Sequence, residues 1–144
     1  MNVSSPPHPT IDDLKFEIGQ VQVCWSFLET EMRHDLAASS LDMTAVKGPI
    51  ITRWRNHMRE VAALQITKEL EDYIDTVERL AMSRNLLAHG IQSLSADPWK
   101  EASAFVICAA HDGSLHTITI EMLRDLSKEI NKARSRPGRL HIDR

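Results

Sequence analysis

A chain of 144 residues, 42% of them apolar, has the size of one domain and enough hydrocarbon to bury a single core. Its 17 Lys and Arg against 20 Asp and Glu leave a net charge of −3, which excludes a global positive field for nucleic acid and restricts any RNA contact to a local surface. No apolar run approaches the roughly 18 residues that span a bilayer, and MNVSSPPHPT lacks the basic start and apolar stretch of a secretory signal, so a cytoplasmic protein with no membrane partner is expected.

Residues 1–10 are rich in Ser and Pro without periodicity, so a disordered segment is expected up to Thr10, a helix N-cap type. From there Ile11, Leu14, Ile18, Val21, Trp25, Leu28 and Met32 recur at alternating steps of three and four, the seam of a long helix packed along a neighbour. Phe16, Val23, Cys24 and Phe27 widen the apolar surface, which suits a bundle interior and a dimer interface as well. Ala38 to Pro49, with Ser39, Ser40 and Gly48, reads as a connection, and Pro49 is placed to open a second helix.

In that helix Ile51, Trp54, Met58, Val61 and Leu64 form the inward stripe. Arg53, Arg55 and Arg59, with His57, fall mostly on other faces; they are candidate RNA-binding residues, although exposed Arg on an amphipathic helix is also ordinary. A third helix is expected from about Thr67 to His89, with Glu69, Glu71 and Asp72 at the positive end of its dipole and Leu70, Ile74, Val77 and Ala81 inward. Gly90 is expected to end it in the left-handed conformation.

Ser93 to Ser103, with Asp97-Pro98, reads as loop. Ala104 to Ala110 and Leu115 to Ile118 are short apolar runs around His111-Asp-Gly113-Ser, a strong hairpin signal that makes His111 and His116 surface decoration. Thr119 caps a last helix whose inward stripe is Ile120, Leu123, Leu126, Ile130 and Ala133, stopped by Arg136-Pro137-Gly138. One helical domain over 11–136 with a flexible tail over 137–144 follows. The basic cluster from Arg124 to Arg144 is more simply a solvated face than a nucleic-acid contact. Cys24 and Cys108 sit in apolar surroundings and are expected to be reduced and buried.

The stretch Glu78-Arg-Leu-Ala-Met-Ser-Arg84-Asn85-Leu-Leu-Ala-His89-Gly90 stands apart from this generic pattern. It resembles the HEPN family, whose ribonucleases carry an Arg, usually followed by a polar residue, and then a His after four to six positions, at a helix end in a small bundle. Arg84, Asn85 and His89 fit with four intervening residues, and the order of elements after RNLLAHG is similar to that of small bacterial HEPN-like proteins, so the resemblance covers roughly Ile11 to Arg134. It implies a mainly α, HEPN-like helical bundle of three long helices, a β-hairpin and a C-terminal helix. It further implies a metal-independent endoribonuclease without a cofactor, a toxin or defence RNase leaving 2′,3′-cyclic phosphate ends. The implied partners are a second copy, with the motifs of both chains lining one cleft, an RNA substrate, and a cognate antitoxin or other protein. The alternative is a non-catalytic dimeric module that binds RNA or a partner protein through the same cleft. Members paired with a nucleotidyltransferase antitoxin commonly carry Tyr two positions after the His, where this chain has Ile91, so modification of that kind is not implied.

Chemistry explains why these residue types belong together. Metal-free RNA cleavage needs a base for the ribose 2′-hydroxyl and a cation for the charge that develops on the pentacoordinate phosphorus. Histidine suits the first task because imidazole exchanges protons near neutral pH, and arginine the second because its charge is permanent and its fork matches phosphate oxygens. Asn85 would then position His89 or the ribose. On an ideal helix positions 84 and 89 lie about 140° apart, so they converge only if the helix ends there or two chains meet. The simpler role for Arg84 and His89 is to cap the last carbonyls of the helix. Glu29, Glu31 and Asp35 are candidate orienting carboxylates, Trp25 and Trp54 core anchors, and Trp99, in the loop after the motif, is either a cover for a ligand or, more simply, a residue packed beneath its loop. No zinc-ligand spacing, Gly-rich phosphate loop or nucleophile elbow is present.

Overall fold

A computed structural model describes residues 5–38, 49–64, 68–100 and 104–134, with backbone alone for 38 and 61–64. Its elements run α1 (Ile11–Ala38), α2 (Ile50–Leu64), α3 (Lys68–His89), β1 (Ile91–Ser95), β2 (Phe105–Ala109), β3 (Leu115–Thr119) and α4 (Ile120–Arg134). The protein is mainly helical, with one small antiparallel sheet in the order β1-β2-β3. No helix among the described residues is long and apolar enough to cross a membrane.

The first helix starts where its capping chemistry dictates. Thr10 Oγ1 accepts from the Asp13 backbone N–H at 3.1 Å, and Asp13 Oδ2 accepts from the Thr10 N–H at 2.8 Å, so two otherwise orphaned donors are satisfied reciprocally. Upstream, the His8 N–H donates to Pro98 O at 3.1 Å and ties the approach to α1 onto the loop after β1. Along α1, Leu14, Val21, Cys24, Trp25, Leu28, Met32 and Leu36 are buried, while Ile11 and Ile18 pack at the edge of the core. The seam read from spacing is the buried face. Phe16, Val23 and Phe27 instead face outward, half exposed or more, with the Arg134 guanidinium 4.7 Å above the Phe27 ring.

Helix α4 is the main partner of α1, and α2 and α3 complete the bundle. Pro49 opens α2, its carbonyl accepting from the N–H groups of Thr52 and Arg53. Ile50, Trp54 and Met58 are the buried residues there, so the stripe begins one position earlier than expected; the side chains of Val61 and Leu64 lie outside the described set. Trp54 stacks edge-on against Tyr73 at 5.8 Å and donates from Nε1 to Asp35 Oδ2 at 3.1 Å. Tyr73 in turn donates its hydroxyl to the Ala133 carbonyl, joining α3 to α4. The buried residues of α3 and α4 include every inward position expected for them. Thr119 caps α4 through the Met122 N–H, at 3.2 Å.

Two features of the sheet correct the sequence expectations. Ser93 to Ser95 are not loop; they belong to β1, which pairs with β2 through Ser93↔Ile107, Leu94↔Val106 and Ser95↔Phe105. Ile-Gln-Ser-Leu-Ser gives no apolar run because the strand lies at an exposed edge, where Leu94 alone turns partly inward. Residues 101–103 of the expected loop lie outside the described set, as does most of the connection before Pro49. The hairpin itself forms as expected: Gly113 takes φ +84°, and Asp112 Oδ1 accepts from the Ser114 N–H at 2.9 Å.

Gly90 is the second correction, because it does not adopt positive φ. Its N–H still bonds Leu86 O at 2.8 Å, and its own carbonyl accepts from the Ala109 N–H at 2.8 Å, so the chain passes directly from helix into sheet. A Cβ at this position would lie 2.5 Å from Ala109 O and 2.9 Å from Leu86 O. Glycine is required here by close approach of two backbones. Gly90→Ala should cost about 1–3 kcal/mol in urea unfolding, as overpacking generally does; wild-type stability would show that the contact is not tight.

The Thr10 N–H and hydroxyl hold the Asp13 carboxyl below the usual carboxylate range. A depressed folded value means the contribution is complete above the unfolded value near pH 4 and is lost as pH falls through the folded one. Asp13→Asn should therefore reduce the acid-side slope of stability below about pH 4, measured by chemical unfolding across pH; an unchanged slope would exclude the Thr10–Asp13 pair as its source.

Candidate functional site

The end of α3, the start of α2, one face of α1 and the β2–β3 hairpin enclose a groove of about 970 Å³. Arg84, Asn85 and His89 all line it. Helix α3 ends at His89, and the Gly90–Ala109 junction sets the hairpin beside that last turn. One chain therefore brings both Arg84 and His89 to a single groove despite their angular separation on the helix.

Arg84 is half-buried and held from two sides. Its Nε donates to Gln22 Oε1 at 3.0 Å and its Nη1 to Asn85 Oδ1 at 3.1 Å. No carboxylate pairs with it among the described residues. Two neutral amide oxygens orient the guanidinium without neutralising it, and Nη2 is left without a partner among the described residues. A guanidinium in this state has the charge and free N–H groups that an oxyanion could accept from. Asn85 is exposed and His89 is exposed, so the imidazole is open to solvent and not sealed beneath hydrocarbon.

Gln22 had no standing in the sequence, yet Gln22, Trp25 and Glu29 stand at i, i+3 and i+7 on α1, one helical face. Trp25 and Glu29 line the groove, and Trp25 Nε1 donates to Glu29 Oε1 at 2.6 Å. The signal that could have found this wall is a polar residue on either side of a tryptophan at helical spacing. Of the three carboxylates considered for orientation, only Glu29 lies here; Glu31 and Asp35 line a separate crevice beside Trp54. Both core tryptophans are buried as expected, at 2% and 1% exposure for Trp25 and Trp54. Trp99 is not packed beneath its loop: it is 63% exposed, because the turn over residues 98–100 carries it outward.

The hairpin supplies the remaining wall. His111 and His116 line the groove. Ser114 links the turn to the second ring: its hydroxyl donates to Asp112 Oδ1 at 2.6 Å and lies 3.0 Å from His116 Nε2. The Ser114 hydroxyl and N–H hold the Asp112 carboxyl below the usual range, with a smaller contribution from His116. Among the described residues no three His, Cys, Asp or Glu side chains come together in a way that could hold a metal ion. Cys24 and Cys108 are free and buried, and burial raises the Cys108 thiol.

The basic surface of α2 lies apart from this groove. Arg55 Nε and Arg59 Nη2 converge on Glu78 Oε1 at 3.6 and 3.3 Å, and Arg53 is half-buried. None of the three lines the groove. Partly exposed pairs of this kind contribute little to stability, but they direct two of the guanidinium groups toward α3.

Comparison with protein-family models, with curated proteins and with solved structures finds no match for this chain.

An oxyanion should seat on Arg84. At constant ionic strength, inorganic phosphate at about 100 times its Kd should stabilise the protein by about 2.7 kcal/mol, read as a rise in Tm that Arg84→Met abolishes; an equal rise in both proteins would place the anion elsewhere.

Proposed function

We propose that the protein is a metal-independent endoribonuclease of the HEPN kind whose site is the groove at the end of α3. The supporting observation is the shared lining of that groove by Arg84, Asn85 and His89, with the Arg84 guanidinium oriented but not neutralised. In this mechanism a scissile phosphodiester lies against Arg84, whose permanent charge stabilises the phosphorane. His89 removes the proton from the ribose 2′-hydroxyl, and the 2′-oxygen attacks phosphorus as the bond to the 5′-oxygen breaks, so one product ends in a 2′,3′-cyclic phosphate and the other in a 5′-hydroxyl. Asn85, already bonded to Arg84, keeps the guanidinium in register with the imidazole. A homodimer whose two motifs share a cleft belongs to the same proposal, as do a toxin or defence role and a cognate antitoxin.

A second reading, a non-catalytic module that holds RNA or a partner protein, draws on the apolar part of the groove. Met82, 71% exposed, lines it beside the motif, as do Ile51 and Leu86.

Incubation of purified protein with mixed RNA in EDTA distinguishes the two. The nuclease yields cyclic phosphate ends, His89→Ala slows cleavage by about 10²–10⁴-fold, and Arg84→Ala slows it by about 10²–10³-fold. Intact RNA that is nevertheless retained, with retention lost in Arg84→Ala, would establish the binding module. No cleavage and no retention would reject the nuclease and the RNA-holding form of the second reading.

A further inference from the structure

We propose that His116 is a second acid–base residue of this site, the general acid that protonates the 5′-oxygen leaving group while His89 serves as the base; this rests on the ribonuclease reading above. In-line displacement puts the attacking 2′-oxygen and the departing 5′-oxygen at opposite apices of the phosphorane. Within one chain the single imidazole on α3 cannot reach both positions in one transition state. In a dimer the second copy's His89 is the competing acid, and wild-type cleavage by His116→Ala is the result that would favour it. The groove carries its further imidazoles on a different wall, the β2–β3 hairpin, and of these His116 is held in place by a neighbour.

The hydrogen-bond chain also fixes which nitrogen is available. The Ser114 hydroxyl proton goes to Asp112 Oδ1, so the Ser114 oxygen accepts from His116 and Nε2 carries hydrogen. Nδ1 is then the free position: it accepts a proton when the ring is neutral and donates one when the ring is an imidazolium. Glu29 adds negative charge to the lining of the same groove, while Arg84, His89 and His111 add the opposing positive or titratable groups.

The step balances. The bond from the 2′-oxygen to phosphorus forms as the bond from phosphorus to the 5′-oxygen breaks. The 2′-hydroxyl proton passes to His89, and the proton on His116 Nδ1 passes to the 5′-oxygen, which leaves as an alcohol. Each ring ends in the protonation state opposite to its starting one, and exchange with water restores both.

A substrate with sulfur in place of the bridging 5′-oxygen tests the assignment, because a thiolate departs without protonation. On ordinary RNA, His116→Ala should be slower than wild type by about 10²–10⁴-fold; on the sulfur-bridged RNA it should approach the wild-type rate, while His89→Ala remains slow on both. Ser114→Ala, which keeps the ring but frees Nε2, should show a smaller loss that sulfur also relieves. Wild-type cleavage of ordinary RNA by His116→Ala, or an equal deficit on both substrates, overturns the assignment and leaves the nuclease standing. If the wild-type protein cleaves neither substrate, the nuclease reading fails and this assignment fails with it.

Discussion

The groove depends on one close backbone contact, the approach of Gly90 to Ala109 at the junction of helix and sheet. There the last helical N–H of α3 still bonds Leu86 O, and the Gly90 carbonyl has already become the acceptor for β2. A side chain at position 90 has no room. The chain therefore turns from helix to strand without an intervening loop, and the hairpin that follows is held against the turn carrying Asn85 and His89. Backbone hydrogen bonds, not loop contacts, set the distance between those two walls. A lengthened connection would let the hairpin drift and would separate the histidines contributed by the two elements.

The electrostatics of the groove follow from which charges are balanced and which are not. Arg55, Arg59, Arg79 and Arg124 each meet a carboxylate on a neighbouring helix. Among the described residues Arg84 meets only amide oxygens, from Gln22 and Asn85. An overall charge of −3 gives no long-range pull on a polyanion, so in the proposed function the affinity for a phosphodiester rests on the oriented Arg84 and the histidines of the groove.

Much of the helical frame was legible because burial imposes a period. Leu14, Ile18, Val21, Trp25, Leu28 and Met32 follow steps of three and four, Ile18 partly buried and the rest buried; Thr10 and Thr119 mark helix starts and Asp112-Gly113 the hairpin turn through local hydrogen bonds that need no tertiary information. What was not legible depends on partners distant in sequence. Strand β1 has one side chain turned partly inward and is a strand only because β2 pairs with it. Gly90 carries the residue type of a left-handed helix terminator, but its role is set by Ala109, and spacing contains no trace of that approach. The motif residues Arg84, Asn85 and His89 could be picked out locally, whereas Gln22 and the groove-facing side of the hairpin required the fold. His116 reads as surface decoration until β2 and β3 bring it to the groove that the end of α3 also lines. Phe16, Val23 and Phe27 show the converse limit: apolar type alone does not distinguish a core position from an outward one.

In the proposed reaction a single phosphodiester lies between the guanidinium of Arg84 and the imidazoles of His89 and His116. Side-chain nitrogen NMR of the protein titrated with a 2′-deoxy dinucleotide, which binds without being cleaved, reads all three groups at once. Saturable shifts of Arg84 Nε and of both imidazole rings at one common dissociation constant are expected. Shifts confined to Arg53, Arg55 and Arg59, or movement of the two rings at different affinities, would contradict it.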